Sequence, residues 1–159
     1  VRVMQTDPNF ANYLIDGETA DIDLLDFGST VDFSEAFADR YRRICRAMLA
    51  DDMETVRTVA QEIGYLHADD PPEHVTRIIE LLLMVCEPLR HRGTYDFGGS
   101  DLSARARDAG MDLVFRSGHF RIPPPETIFL HRKLVGSFLL CARIRAHADV
   151  RSLVEPFLA

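Results

Sequence analysis

The sequence predicts a mainly α-helical protein with a small N-terminal β-hairpin, and three observations support this fold class. Short apolar stretches of strand character are concentrated in roughly the first thirty residues. From Ser34 onward, apolar residues recur at steps of three and four, which is the period of an amphipathic helix. The 159 residues, 47% of them hydrophobic, can bury one substantial core. We therefore expect a single unit over residues 1–159, with a hairpin part at 1–33 and a helical part at 34–159.

The N-terminal part contains two strand-like pieces, RVMQTD and DIDLLDFG. Between them, Asp16-Gly17 is a strong signal for a hairpin turn. We expect residues near 13–15 to pair with residues 22–25.

The helices follow in order, each with its own boundary signals. The first is expected at about 34–50. The second ends at Gly64, which suits a left-handed C-cap. For the third, Asp70 is the expected N-cap, Pro71 lies in the first turn, and the helix runs to Pro88.

Three more helices are predicted in the C-terminal half. Ser100 or Asp101 can cap a helix at about 101–109. The prolines of IPPPE open a long helix at about Glu126, with a wide apolar face. Asp149 caps a short terminal helix.

Composition excludes several functions. The net charge of −7, without a basic stripe, argues against nucleic-acid binding. Lys133 is the only lysine, which excludes a phosphate-gripping lysine elsewhere in the chain. Three widely spaced cysteines suit reduced core thiols. No apolar run approaches the roughly 20 residues of a membrane span, so we expect a cytoplasmic protein, either free or peripheral to a membrane.

The tripeptide Asp-Phe-Gly occurs twice, at Asp26 and at Asp96. Asp26 follows an apolar strand, so its carboxylate is held at a rigid strand end. Asp96 lies between HRGTY and GGSD, which predicts a flexible surface loop. The first copy is therefore the candidate for chemistry.

A second pattern precedes Asp26. Asp7 and Asn12 form Asp-x-x-x-x-Asn, which in kinases supplies a catalytic carboxylate and a magnesium ligand before a later Asp-Phe-Gly. The hairpin between Asn12 and Asp26 would bring these residues together. We predict Asp7 as the catalytic residue, and Asn12 and Asp26 as ligands of Mg²⁺ and thereby of ATP.

With these residues, the chain resembles the C-terminal part of the UbiB family, the aarF-domain-containing atypical kinases linked to ubiquinone biosynthesis. The resemblance extends from MQTDPNFANYL and LLDFGS to PPPETIFLHRKLVGSFLLCARIRA. It implies a protein-kinase-like C-lobe, a nucleotide ligand, and a lipid or quinone-pathway protein as partner. It also implies that the N-lobe is absent, so that the chain alone would bind Mg-ATP weakly and turn over nothing measurable.

Two departures from ordinary protein kinases bear on the substrate. Gln5-Thr6 replaces the histidine and arginine that usually precede the catalytic aspartate. Almost no activation segment separates Gly28 from Ser34, which leaves little platform for a peptide. A small-molecule or lipid-linked acceptor, or plain ATP hydrolysis, fits better.

The remaining candidates have plain structural interpretations. The six histidines lack zinc-ligand spacing and are expected on the surface or at caps. His131-Arg132-Lys133 could contact a phosphate or a partner, or form a solvated helix face. Glu126 suits the first helix turn, with an arginine as an alternative partner. Apolar faces of the long helices are expected in the core, and any uncovered part would favour self-association.

Two other functions stay open. The chain could be a small-molecule phosphotransferase of the aminoglycoside kinase type, which shares the aspartate and asparagine pattern. It could also be a non-catalytic helical interaction or lipid-associated module.

Overall fold

The computed structural model describes residues 2–116 and 121–158. Most of these residues are helical, as the sequence predicts. The helices are α1 Glu35–Leu49, α2 Met53–Ile63, α3 Pro72–Val85, α4 Glu87–Arg90, α5 Leu102–Arg116, α6 Pro125–Arg143 and α7 Val150–Val154. The strands are β1 Val3–Gln5, β2 Tyr13–Ile15, β3 Ile22–Leu24, β4 Thr30–Asp32, β5 Tyr95–Asp96 and β6 His147–Ala148. This architecture is compatible with a kinase-like fold.

The strands form three separate antiparallel pairs. The predicted hairpin is confirmed, because β2 pairs with β3 in the register Tyr13↔Leu24. Strand β1 pairs with β4, with Gln5 opposite Thr30. The short pair β5–β6 lies apart from these in sequence.

The hairpin turn spans Asp16 to Asp21, the residues between the two predicted strands, and the Asp16 carboxylate accepts hydrogen bonds from the backbone nitrogens of Glu18 and Thr19. The left-handed residue is Ala20, at φ 60°, and not Gly17. The aspartate side chain organises the loop itself, so the glycine is not needed for a tight turn.

Three helix ends follow the sequence signals. Ser34 caps α1 by accepting from Phe37 N at 3.1 Å. Gly64 ends α2 with a φ of 94°, the left-handed conformation that favours glycine. Asp149 caps α7 by accepting from Ser152 N at 3.0 Å.

The predicted start and end of α3 are wrong. Pro71 occupies the N-cap position, and the Asp70 carboxylate instead accepts from His67 N at 2.7 Å. The residue before a proline is driven into extended conformation, so Pro72 keeps Pro71 at φ −60° and ψ 147°, and the helix begins one residue later than predicted. Helix α3 ends at Val85, and the chain turns into α4, whose first turn contains Pro88. Helix α5 reaches Arg116, well beyond the predicted 109.

The main core lies where α1, α2 and α3 pack together. Its centre is Met48, Val56 and Val59, which are almost completely buried. Cys45 and Cys86 pack against this core. Burial raises the pKa of the Cys45 thiol to about 11 and that of Cys86 to about 12. The three cysteines are free, as predicted, and these two thiols are protonated at neutral pH.

Helix α6 departs from the prediction of a buried apolar face. Thr127 is its one fully buried residue among those described, and Val135 and Leu139 are each more than half exposed. Within residues 2–116 and 121–158, no helix is long and apolar enough to cross a membrane.

Candidate active site

The candidate site lies where two loops meet. One loop joins β1 to β2 and carries Asp7 and Asn12, and the other joins β3 to β4 and carries Asp26. We call residues 6–12 the catalytic loop and residues 25–29 the DFG loop. Because β1 pairs with β4 and β2 pairs with β3, both loops leave the paired strands at corresponding ends.

Hydrogen bonds at both ends of the catalytic loop hold it against the DFG loop. Thr6 is 1% exposed, and both its backbone N and its hydroxyl Oγ1 donate to the carbonyl of Ser29 at 2.8 Å. At the other end, Leu25 N donates to the Asn12 carbonyl at 2.8 Å. The structure therefore places all three predicted site residues on adjacent loops.

The Asp7 carboxylate is held through both of its oxygens. Asn12 Nδ2 donates to Asp7 Oδ2 at 3.1 Å, and Arg132 Nη2 lies 2.6 Å from Asp7 Oδ1. Gln5 Nε2 fixes the backbone by donating to the Asp7 carbonyl at 2.7 Å. These contacts orient a half-buried carboxylate, and its remaining lone pairs can still accept a proton or a hydrogen bond.

Asp26 is exposed at the surface of the DFG loop. Its Oδ1 accepts from Gly28 N at 2.7 Å, and its Oδ2 has no hydrogen-bond partner among the described residues. The side-chain nitrogen Nδ2 of Asn12 faces Asp7, so the side-chain oxygen Oδ1 of Asn12 points away from Asp7. Carboxylate and amide oxygens are the ligands that Mg²⁺ takes in proteins, so these side chains fit that ion. No group of three or more His, Cys, Asp or Glu suited to a metal occurs in the described part of the chain. The magnesium ligands stay a prediction.

The second Asp-Phe-Gly copy has the same local turn in a different setting. Asp96 Oδ1 accepts from Gly98 N and Gly99 N, at 2.9 and 3.0 Å. Asp96 lies in strand β5 and not in a flexible loop, with His147 opposite it in β6. Phe97 is buried, whereas Phe27 of the first copy is 65% exposed. The second copy therefore joins β5–β6 to the helical part of the protein.

Two side chains of helix α6 contact the catalytic loop and the strands on either side of it. The sequence indicated these two residues only weakly. Lys133 Nζ donates to Gln5 Oε1 at 3.3 Å and to the Tyr13 hydroxyl at 3.1 Å. Together with the Arg132–Asp7 ion pair, this accounts for two residues of the His131-Arg132-Lys133 tripeptide. The signal was their basic charge in an otherwise acidic chain. Their helical spacing alone was equally consistent with a solvated helix face that contacts nothing.

The approach of α6 to the catalytic loop depends on Gly136. A Cβ atom at this position would lie 1.9 Å from Pro8 Cγ, far inside van der Waals contact. An open groove of about 630 Å³ lies beside this contact. Asp7, Pro8 and Asn9 line one side of the groove, and the α6 face from Ile128 to Leu139 lines the other.

His131 was expected at the surface, and this expectation is wrong. Its Nε2 is 2.5 Å from the Tyr65 hydroxyl, which is in turn hydrogen-bonded to the Tyr41 hydroxyl. Burial lowers the pKa of His131, raises that of Tyr65, and raises that of Tyr41 to about 12. The three rings link the groove to the core as a neutral chain. His131 is half-buried and His74 is buried, whereas His119 lies outside the described residues.

Glu126 lies in the first turn of α6, as predicted. It forms no ion pair with an arginine in the described part of the chain, so the helix-dipole interpretation is the one that agrees with its surroundings.

A helical protein whose N-terminal hairpin places an aspartate–asparagine loop beside an Asp-Phe-Gly loop has the features of the kinase-like class. Comparison with known proteins agrees. Residues 1–60 match the model of the ABC1 atypical kinase-like domain. The chain is similar to atypical kinases of this kind over nearly its whole length, which agrees with the resemblance to the UbiB family.

Three similar relatives illustrate the match. Atypical kinase COQ8B, mitochondrial, of Rattus norvegicus is 36% identical over 154 residues, covering 97% of this chain and 29% of the relative. Atypical kinase COQ8, mitochondrial, of Schizosaccharomyces pombe is 34% identical, with 98% and 25% covered. The Saccharomyces cerevisiae protein of the same name is 33% identical, with 99% and 32% covered.

The chain thus spans about a quarter to a third of the length of these relatives. Their names place them in mitochondria, whereas the sequence of this chain predicted a cytoplasmic location.

Proposed function

We propose that the chain is the catalytic-loop part of an atypical kinase-like ATPase that supports ubiquinone biosynthesis. It would act through Mg-ATP binding and hydrolysis, or through phosphoryl transfer to a small molecule. Asp7 is the catalytic residue, which orients the attacking group and accepts its proton. Asn12 and Asp26 hold Mg²⁺ and, through it, the nucleotide phosphates.

The observation that carries this proposal is the pairing of the two loops. Thr6–Ser29 and Asn12–Leu25 hydrogen bonds hold Asp7, Asn12 and Asp26 at one edge of the hairpin region. Phosphoryl transfer depends mainly on positioning and charge stabilisation, so prearranged oxygen ligands beside an oriented carboxylate are the features it needs.

A small acceptor is favoured over a peptide. Only residues 30–34 separate the DFG loop from α1, and three of them form β4. A segment this short offers no surface for an extended peptide. The groove beside Asp7 is of a size that a small molecule can occupy.

The two Asp-Phe-Gly copies provide a matched test. We would titrate the 159-residue protein with Mg-ATP and follow backbone amide shifts by NMR, which detects weak binding. Asp26→Asn should weaken the magnesium-dependent binding about tenfold or more, because one charged metal ligand is lost. Asp96→Asn changes the same tripeptide and the same turn in β5, and should leave binding unchanged.

The outcome distinguishes the candidate functions. Equal binding by both variants would refute Asp26 as a magnesium ligand. No Mg-ATP binding by the correctly folded wild-type protein would favour the alternative of a non-catalytic interaction or lipid-associated module.

A further inference from the structure

Charge is distributed very unevenly around the candidate site. Residues 1–34 contain six aspartates and one glutamate but only one basic residue, Arg2. The catalytic loop itself, TDPNFAN, has no lysine or arginine. A triphosphate approaching these loops would meet like charge, and one Mg²⁺ neutralises only part of it.

Helix α6 brings the nearest cations to this acidic region. Arg132 and Lys133 are distant in sequence but contact the catalytic loop and β1–β2 directly. Their roles differ. Lys133 is half-buried and its described partners, Gln5 and Tyr13, are neutral, so it serves to dock the helix.

Arg132 is available to a ligand. Its side chain is 53% exposed, lines the groove, and makes one described contact, from Nη2 to Asp7 Oδ1. A guanidinium carries five N–H donors in a planar fork that matches a phosphate. Several of these donors are therefore free of described partners, directly beside the predicted catalytic carboxylate.

The position of Arg132 is set by packing and not by the ion pair alone. Gly136, one turn further along α6, lies against the Pro8 ring. Lys133 anchors the same turn from the other side. Two independent contacts thus hold the guanidinium at the edge of the catalytic loop.

We propose that Arg132 is the phosphate-binding cation of the site, paired with Asp7 before the nucleotide binds and contacting the terminal phosphoryl group afterwards. The inference rests on the proposed function, because it requires Mg-ATP at this site. Arg132 would supply from a distant helix the positive charge that the catalytic loop lacks. Such charge stabilises the oxygens of a transferring phosphoryl group.

The test compares two nucleotides. The 159-residue protein is titrated with Mg-ATP and with Mg-ADP, again by NMR. In Arg132→Gln, affinity for Mg-ATP should fall about tenfold, the lower range for a charge-assisted hydrogen bond at an exposed site. Affinity for Mg-ADP should change less than threefold, because ADP lacks the terminal group. Arg132→Lys should retain part of the preference for ATP.

Arg107→Gln is the matched control. Arg107 is a well-exposed arginine on α5 whose described ion pair is with the adjacent Asp108. This variant should bind both nucleotides like the wild type. Thermal unfolding of each variant shows whether it is folded.

Each other outcome overturns the inference. If the wild type binds Mg-ATP in an Asp26-dependent manner but Arg132→Gln weakens ATP and ADP equally, the proposed function stands and Arg132 only positions Asp7. If the folded wild type binds neither nucleotide, the inference and the proposed function fail together.

Discussion

Replacing Gly136 with alanine tests whether α6 is docked on the catalytic loop. The new Cβ would lie 1.9 Å from Pro8 Cγ and 2.9 Å from Pro8 Cβ. Carbon atoms in contact are about 3.5–4.0 Å apart, so helix and loop must separate by roughly 1.5 Å. The proline ring is rigid and cannot swing aside.

The energetic cost follows from two opposing effects. Overpacking costs about 1–3 kcal/mol, whereas alanine favours a helix over glycine by about 1 kcal/mol. Gly110 in α5 isolates the second effect, the helix preference of alanine, because a Cβ there meets nothing within 4 Å. Gly110→Ala should be stabilising by up to about 1 kcal/mol. The two variants should therefore differ in free energy of unfolding by about 1–3 kcal/mol, the cost of the clash.

Chemical denaturation of both variants measures this difference. In thermal unfolding, each kcal/mol corresponds to about 2–4 °C for a chain of this size. Arg132 lies one helical turn before Gly136. Separation of α6 from the loop should therefore also break the 2.6 Å contact between Arg132 Nη2 and Asp7 Oδ1. Equal stabilisation by Gly136→Ala and Gly110→Ala would refute the docking of α6 on Pro8.

Three further predictions concern the helical part. Tyr65→Phe should lower the free energy of unfolding by about 1–3 kcal/mol, because it removes the hydroxyl that joins Tyr41 to His131. Urea denaturation measures this change, and a variant as stable as the wild type would contradict the prediction. Burial lowers the pKa of His131, so the unfolded state binds more protons and stability should fall as the pH drops below about 6.5. A His131→Gln variant should flatten that part of the pH profile, and an unchanged slope would count against the effect. Gly64→Ala should cost about 1 kcal/mol or more, since its φ is 94° and a Cβ would lie 3.1 Å from Pro124 Cγ; calorimetry showing no loss would argue against it.

Local signals in the sequence were sufficient for most elements. The Asp16-Gly17 signal located the hairpin, and Ser34, Gly64 and Asp149 marked helix ends, because caps and turns depend on neighbouring residues. The α3 start was mispredicted by one residue because Pro72 holds the preceding Pro71 in extended conformation, which makes Pro71 the N-cap in place of Asp70. The exposure of the α6 apolar face could not be predicted from its helical period. That period shows that one face is apolar, but it does not show which other element covers the face.

The sequence by itself determined the mainly helical fold, the hairpin, and the three residues Asp7, Asn12 and Asp26 as candidates. These conclusions rest on residue types at short spacings. Only the tertiary structure placed Arg132, Lys133 and Gly136 against the catalytic loop and packed His131 against Tyr65. Contacts between residues more than 60 positions apart depend on how the helices pack, and no local pattern encodes that geometry.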